Sequence, residues 1–278
     1  MLAFARADAW LLLDTNIVGR YKQGLQFTFR GDPMRKIGLI GGLSPESTVH
    51  YYQRLCAEHN RAHGGLNFPP MTLESLNLQT LVDLFERNDW DGVAKILLGA
   101  LHRLKAAGAG FAAILANTPH NAYAQIRDAS PLEIVTIMDA TASALRRDGR
   151  RKVALLGTRA TMEFGFFQDH FTANGIETCV PEAADRRKLD RVIWEELSHG
   201  IVKPESTTAA RKMMADLEAQ GAEAVILGCT ELGLLISEND TPLPLYDTLK
   251  LHADAILAYA AETQPDAAGT HAACAVAK

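Results

Sequence analysis

Arg35-Lys36-Ile37-Gly38-Leu39-Ile40-Gly41 returns 116 residues later as Arg151-Lys152-Val153-Ala154-Leu155-Leu156-Gly157. Each copy is a short aliphatic run closed by glycine, the pattern of a buried strand that opens into a turn. A second pair of segments, Gly108 to Ala116 and Gly221 to Cys229, recurs at an offset of 113. In both, a helix stops at glycine, a buried strand comes next, and the chain opens into a polar loop. Tyr51-Tyr52 is echoed by Phe166-Phe167 at nearly the same spacing. Strands alternating with helical patterns and repeated at fixed distance imply two similar α/β domains, each built on a parallel sheet.

Outward from these segments the elements run in order. Ser44 reads as an N-cap with Pro45 at the first helical position. Tyr51, Tyr52, Leu55 and Cys56 continue at helical spacing, which makes Cys56 a core residue. A strand is expected at Met71–Leu76, a helix at Asp91–Ala107, a strand at Phe111–Leu115 and a helix around Asn121–Arg127. Ile134–Ile137 reads as a strand and Asp139–Arg147 as a helix. In the second half, helices run through Val192, Ile193, Trp194 and Leu197 and from Ser206 to Gln220. Pro242–Leu245 reads as a short strand, and a final helix, Leu249–Ala261, is expected to pack back on the first domain. The domains are then 34–136 plus 247–262, and 137–246. Residues 1–33 fit poorly with the clean pattern that begins at Arg35 and read as a poorly ordered extension before a natural start at Met34. Residues 263–278 are Ala-rich without period and read as a frayed tail.

Composition narrows the function classes. The 278 residues are 47% hydrophobic and 22% charged, as in soluble globular proteins. A net charge of -5 with scattered basic residues gives no nucleic-acid surface. Four cysteines, Cys56, Cys179, Cys229 and Cys274, lie far apart without a CxxC pair. That argues against a zinc site or disulfide framework and suits a reducing, cytoplasmic setting. No apolar stretch is long enough to span a bilayer, and Trp10–Leu13 is too short for a signal peptide. Neither GxGxxG nor the P-loop pattern occurs. The Gly41-Gly42 turn into a helix start suits a small anion such as a carboxylate, or equally a tight turn with no ligand.

Gly228-Cys229-Thr230-Glu231 succeeds the apolar run Ala224–Leu227. In open α/β sheets, ligands sit beyond the carboxyl ends of the strands. A cysteine there is placed for chemistry, yet a buried structural cysteine is the commoner case. The residues alone leave both readings open.

Taken in order, Ile37–Gly42 with Ser44-x-Glu46-Ser47-Thr48, Asn117-Thr118-x-His120, Leu156-Gly157-Thr158-Arg159-x-Thr161-Met162-Glu163 and Gly228–Glu231 resemble the aspartate/glutamate racemase family, most closely its broad-specificity amino-acid racemase branch. The resemblance covers about Arg35 to Tyr259. It implies two pseudo-symmetric α/β domains with the active-site cleft between them, no cofactor and no metal, an amino-acid or small carboxylate substrate, and a homodimer. It also implies proton exchange at the substrate Cα between two cysteines, one per domain, on opposite faces. Cys229 holds the second-domain position. Ala116 stands where the first-domain cysteine is expected, so Thr118, His120 or a water must replace it.

By the same resemblance Ser44, Asn117, Thr118, Thr158, Thr161 and Thr230 contact the substrate, and Glu231 orients Cys229 or the substrate ammonium. Lys188 falls where the family places a lysine near the substrate carboxylate. Ser75-Leu76-Asn77 supplies no arginine for an acidic side chain, which argues against strict aspartate specificity. A one-cysteine decarboxylase or isomerase of the same superfamily, or an inactive relative that binds a small carboxylate, are the alternative readings that Ala116 opens.

Overall fold

A computed structural model describes residues 34–262. The extension 1–33 and the tail 263–278, with Cys274, lie outside the described residues. Strands β1 (Ile37–Gly41), β2 (Met71–Ser75), β3 (Phe111–Ile114) and β4 (Ile134–Val135) form one sheet in the order β2-β1-β3-β4. Strands β5 (Lys152–Gly157), β6 (Glu177–Cys179), β7 (Val225–Gly228) and β8 (Leu245–Asp247) form a second in the order β6-β5-β7-β8. Every neighbouring pair is parallel. The duplication extends to register: Gly38 pairs with Ala112, and their counterparts Ala154 and Val225 pair in the same way.

The helices are α1 (Pro45–His63), α2 (Leu78–Glu86), α3 (Trp90–Ala106), α4 (Tyr123–Ile126), α5 (Ile137–Arg147), α6 (Arg159–Glu163), α7 (Phe166–Ala173), α8 (Ala183–Glu195), α9 (Pro204–Ala219), α10 (Leu232–Leu235) and α11 (Thr248–Ala261). Short 3-10 turns precede α4 at Thr118–Ala122 and come after α8 at Leu197–His199. Ser44 caps α1 as expected, its hydroxyl accepting from the Ser47 amide at 3.2 Å.

Three local readings change. The strand expected at Ile134–Ile137 ends at Val135, because Thr136 caps α5 and Ile137 is already its first residue. Tyr51 and Leu55 are fully buried, but Tyr52 is 53% exposed and Cys56 half-exposed, so Cys56 is not a core residue. A helix turns about 100° per residue, so one step beyond a narrow ridge already leaves the core. The ring that repeats Tyr51 at an offset of 116 is Phe167, and both are fully buried. The last strand begins at Leu245 rather than Pro242. Proline has no amide hydrogen for the ladder, and Pro244 contributes only its carbonyl, to the Val225 amide at 3.0 Å.

Each sheet is covered on both faces, which explains strands that are apolar throughout. On the first sheet, Ile40, Ala112 and Ile114 pack against α2 and α3, while Leu39, Phe111 and Ala113 face α1 and α11. On the second, Leu156, Val225 and Leu227 pack against α8 and α9, while Val153, Leu155 and Ile226 face α5 and α7. The two halves therefore exchange helices. Helix α5 leaves the first sheet to cover the second, and α11 leaves the second to cover the first. Gly42 lies at the end of β1 with φ 73°, where a side chain would run into the Leu76 carbonyl. Gly157 and Gly228 end their strands side by side, and a Cβ on either would meet a backbone carbonyl at 2.8 Å. Glycine at both positions lets the strands and α6 close tightly just before Cys229.

Candidate active site

The loops beyond the carboxyl ends of β1, β3, β5 and β7 converge on one narrow cavity of about 40 Å³. This is the crevice position expected for a ligand of a parallel sheet. Ser44, Ala116, Asn117, Thr118 and Thr158 line it, facing Cys229, Thr230 and Glu231. All but Thr230 are at least nine-tenths buried.

Cys229 and Glu231 form its ionisable pair. The Cys229 thiol donates to Glu231 Oε2 at 3.0 Å, and the same oxygen accepts from Thr230 Oγ1 at 2.8 Å. Burial first, then the Glu231 charge and the bond it accepts, hold the thiol well above the usual cysteine range. Cys229 is therefore a protonated thiol near neutral pH, hydrogen-bonded to the Glu231 side chain.

Across the cavity, hydroxyls join the two halves. Thr118 Oγ1 lies 3.1 Å from Thr158 Oγ1, which lies 3.1 Å from Thr161 Oγ1. Thr158 also caps α6, accepting from the Thr161 amide at 3.3 Å. Asn117 Nδ2 donates to Thr248 Oγ1 at 3.2 Å, and Thr248 donates to the Leu227 carbonyl at 2.8 Å. That leaves Asn117 Oδ1 buried without a partner in the cavity wall. Among the described residues, Cys229 and Glu231 are the only ionisable groups lining the cavity, and no Lys, Arg or His lines it. No cluster of three or more His, Cys, Asp or Glu side chains among them is placed to hold a metal.

A family model for Asp/Glu/hydantoin racemases matches residues 40–256. The chain belongs to that racemase family. Membership makes it an isomerase of the racemase type. A candidate Asp/Glu racemase from Yersinia pestis is 39% identical, covers 82% of this chain and 100% of its own, and superposes with a TM-score of 0.78. An aspartate racemase homologue from Pyrococcus horikoshii OT3 is 35% identical over the same shares, with a TM-score of 0.71. The broad specificity amino-acid racemase RacX of Bacillus subtilis (strain 168) is 22% identical over 222 residues, 76% of this chain and 92% of its own.

Not every residue that the racemase resemblance brought forward reaches the cavity. Thr161 stands behind Thr158, fully buried and outside the lining. Lys188 lies on the exposed face of α8, because Leu189, Val192 and Ile193 set the phase of that helix inward. Its position at the substrate carboxylate is not what the geometry gives. His120 also lies outside the lining. Its Nδ1 lies 2.8 Å from the Ala116 carbonyl, which can only accept, so Nδ1 carries the proton. Its backbone amide donates to the Asn117 carbonyl at 3.0 Å. Burial lowers its pKa to about 4, so the ring is a neutral clasp on the loop rather than a group opposite Cys229. Of the two side chains expected to replace the missing cysteine, Thr118 is the one in the cavity wall.

Sequence reasoning missed the apolar wall: Leu43, Leu78 and Phe85 from the first half, Ile193 and Trp194 from the second. It also missed Thr248, whose only sequence signal is a hydroxyl residue at the start of a helix.

Proposed function

We propose that this racemase-family chain interconverts the enantiomers of an amino acid without a cofactor, with Cys229 exchanging the proton on one face of Cα and Thr118 on the other. The observation that carries the reading is the buried Cys229–Glu231 hydrogen bond at the cavity shared by the two sheets. In one direction Thr118 passes its proton through a water to Glu231 and takes the α-proton, the thiol gives its proton to the opposite face of Cα, and Glu231 reprotonates the thiolate. In the other, Glu231 accepts the thiol proton, the thiolate takes the α-proton, and Thr118 gives its proton from the opposite side and regains one from Glu231 through the same water. Inversion requires donor and acceptor on opposite faces, and the presence of Thr118 and Cys229 in one cavity, on loops from the two sheets, supports that reading. Asn117 Oδ1 and Glu231 suit the substrate ammonium, while the hydroxyls of Ser44, Thr118, Thr158 and Thr230 suit its carboxylate.

Ala116 favours one further reading. With a methyl group opposite the thiol, Cys229 alone protonates a planar enediolate after carbon dioxide leaves, so the chain is a one-cysteine decarboxylase or isomerase. Incubating single enantiomers in heavy water with the parent and with Cys229→Ala separates the two. Cys229-dependent α-deuteration with loss of optical purity supports the racemase. Deuteration with retention, or carbon dioxide release from a malonate, supports one-face chemistry. No turnover leaves a carboxylate-binding role.

The proposal includes domains at 34–136 plus 247–262 and at 137–246, supported by the two exchanged helices. It also takes the enzyme as a cytoplasmic homodimer with neither nucleic-acid nor membrane partners. No described helix is long and apolar enough to cross a membrane.

A further inference from the structure

We infer that the substrate side chain is uncharged and apolar, of the leucine or methionine class, and that aspartate and glutamate are poor substrates. The inference rests on the racemase reading above and assigns its side-chain pocket. The cavity is divided by element. Its polar groups come from the strand-end loops, whereas helices α2 and α8 contribute only Leu78, Phe85, Ile193 and Trp194. Leu78 and Phe85 are seven residues apart on α2 and so share a face. Phe85 stacks on Trp90 at 5.4 Å, and Trp90 meets Phe164 of the second half edge-on at 5.7 Å. The wall is therefore backed by aromatic rings.

Charge points the same way. The cavity already holds the Glu231 carboxylate, with no cation among its described lining residues. An α-ammonium can pair with Glu231 and with Asn117 Oδ1, a buried acceptor lacking a partner. An acidic side chain would instead be desolvated against hydrocarbon beside a like charge. The neighbouring surface groove, reached past Thr230, does contain Arg54 and Lys250. Arg54 is bidentate on Asp254 and Lys250 pairs with Asp247 at 3.2 Å, and both line the outer groove rather than the cavity. A leucine or methionine side chain replaces wall contacts with its own. Leu78, Phe85 and Trp194 are only half-buried, so these groups can give way.

The test is Cys229-dependent α-deuteration of leucine, methionine, aspartate and glutamate by the full chain, monitored by NMR. One methylene in an apolar pocket is worth about 10–200-fold, so kcat/KM for leucine or methionine should exceed that for aspartate by at least about 100-fold. Leu78→Arg should cut that preference at least about tenfold by supplying a cation. Trp194→Ala, at a second half-buried site, should shift preference from leucine toward phenylalanine. A preference for aspartate or glutamate, or an unchanged side-chain preference in both variants, overturns the inference while leaving the racemase reading intact. Exchange with no amino acid at all overturns the racemase reading, and the inference with it.

Discussion

Two histidines buried beside the site make stability fall in mild acid. His120 and His252 are at most 1% exposed, with ring centres 6.3 Å apart. His252 Nε2 lies 2.9 Å from the Val135 carbonyl and Nδ1 lies 2.9 Å from the Tyr51 hydroxyl, so Nε2 carries the proton and Nδ1 accepts. Burial holds His120 at about 4 and, with repulsion from His120, His252 at about 3. Unfolded, both return to about 6.5. Below that value the unfolded chain binds protons that the fold refuses, so stability drops as pH falls from about 6.5 toward about 4. The slope per histidine approaches about 1.4 kcal/mol per pH unit. Between pH 7.5 and pH 5.5 each should cost about 1.4 kcal/mol and the pair about 3 kcal/mol, or about 6–12 °C in melting temperature.

The assay is urea unfolding at both pH values in the parent and in His120→Asn. Asparagine keeps a donor for the Ala116 carbonyl but does not titrate. The acid-induced loss should shrink by at least about 1.4 kcal/mol in the variant, because His252 also loses its repulsion from His120. An identical loss in both proteins would falsify the reasoning, since His120 would then titrate alike folded and unfolded.

Other perturbations probe the site more directly. Thr248→Val keeps the shape of a fully buried side chain but strands Asn117 Nδ2 and the Leu227 carbonyl. It should lower stability by about 2–4 kcal/mol in urea unfolding, and a loss under about 1 kcal/mol would show that both groups find other partners. Glu231→Gln removes the charge that helps to hold the Cys229 thiol high. Thiolate absorbance should then rise at lower pH than in the parent, and an unmoved or upward-moved titration would contradict the pairing. Ala116→Cys should raise racemisation by about 100-fold or more if the opposite face is otherwise intact, read by polarimetry. No gain would mean that the first-half loop no longer presents that position to Cα.

The duplication is legible because parallel strands buried on both faces leave long apolar runs that end at glycine. It locates both sheets, and the matching motifs bring Ser44, Asn117, Thr118, Thr158, Thr230 and Glu231 to one cavity with Cys229. Direction is harder to read than position. Lys188 precedes the inward-facing Leu189, and one residue of helical phase separates solvent from core. His120 sits on the right loop, but whether its ring faces Cα or the Ala116 carbonyl depends on a rotamer that no spacing encodes. Helix α2, only nine residues long, is too short for its period to stand out, although it carries two residues of the apolar wall.

The repeat also explains why the two sides of the cavity cannot act alike. At the offset of 113, Ala116, Asn117 and Thr118 are the counterparts of Cys229, Thr230 and Glu231. The second half thus sets a thiol against a carboxylate, and the first sets a methyl group against a hydroxyl. A thiol introduced at residue 116 would meet the Thr118 hydroxyl instead of a negative charge, so its thiolate would form more readily than that of Cys229. Restored symmetry of position would still leave an asymmetry of proton affinity, with the first half better suited to remove the α-proton and Cys229 to return it. The kcat values of the two directions of an Ala116→Cys racemase should therefore respond differently to pH, although kcat/KM must be equal in both because enantiomers have equal free energy. Equal kcat profiles in both directions would show that Glu231 does not set the proton affinity of the second-half thiol.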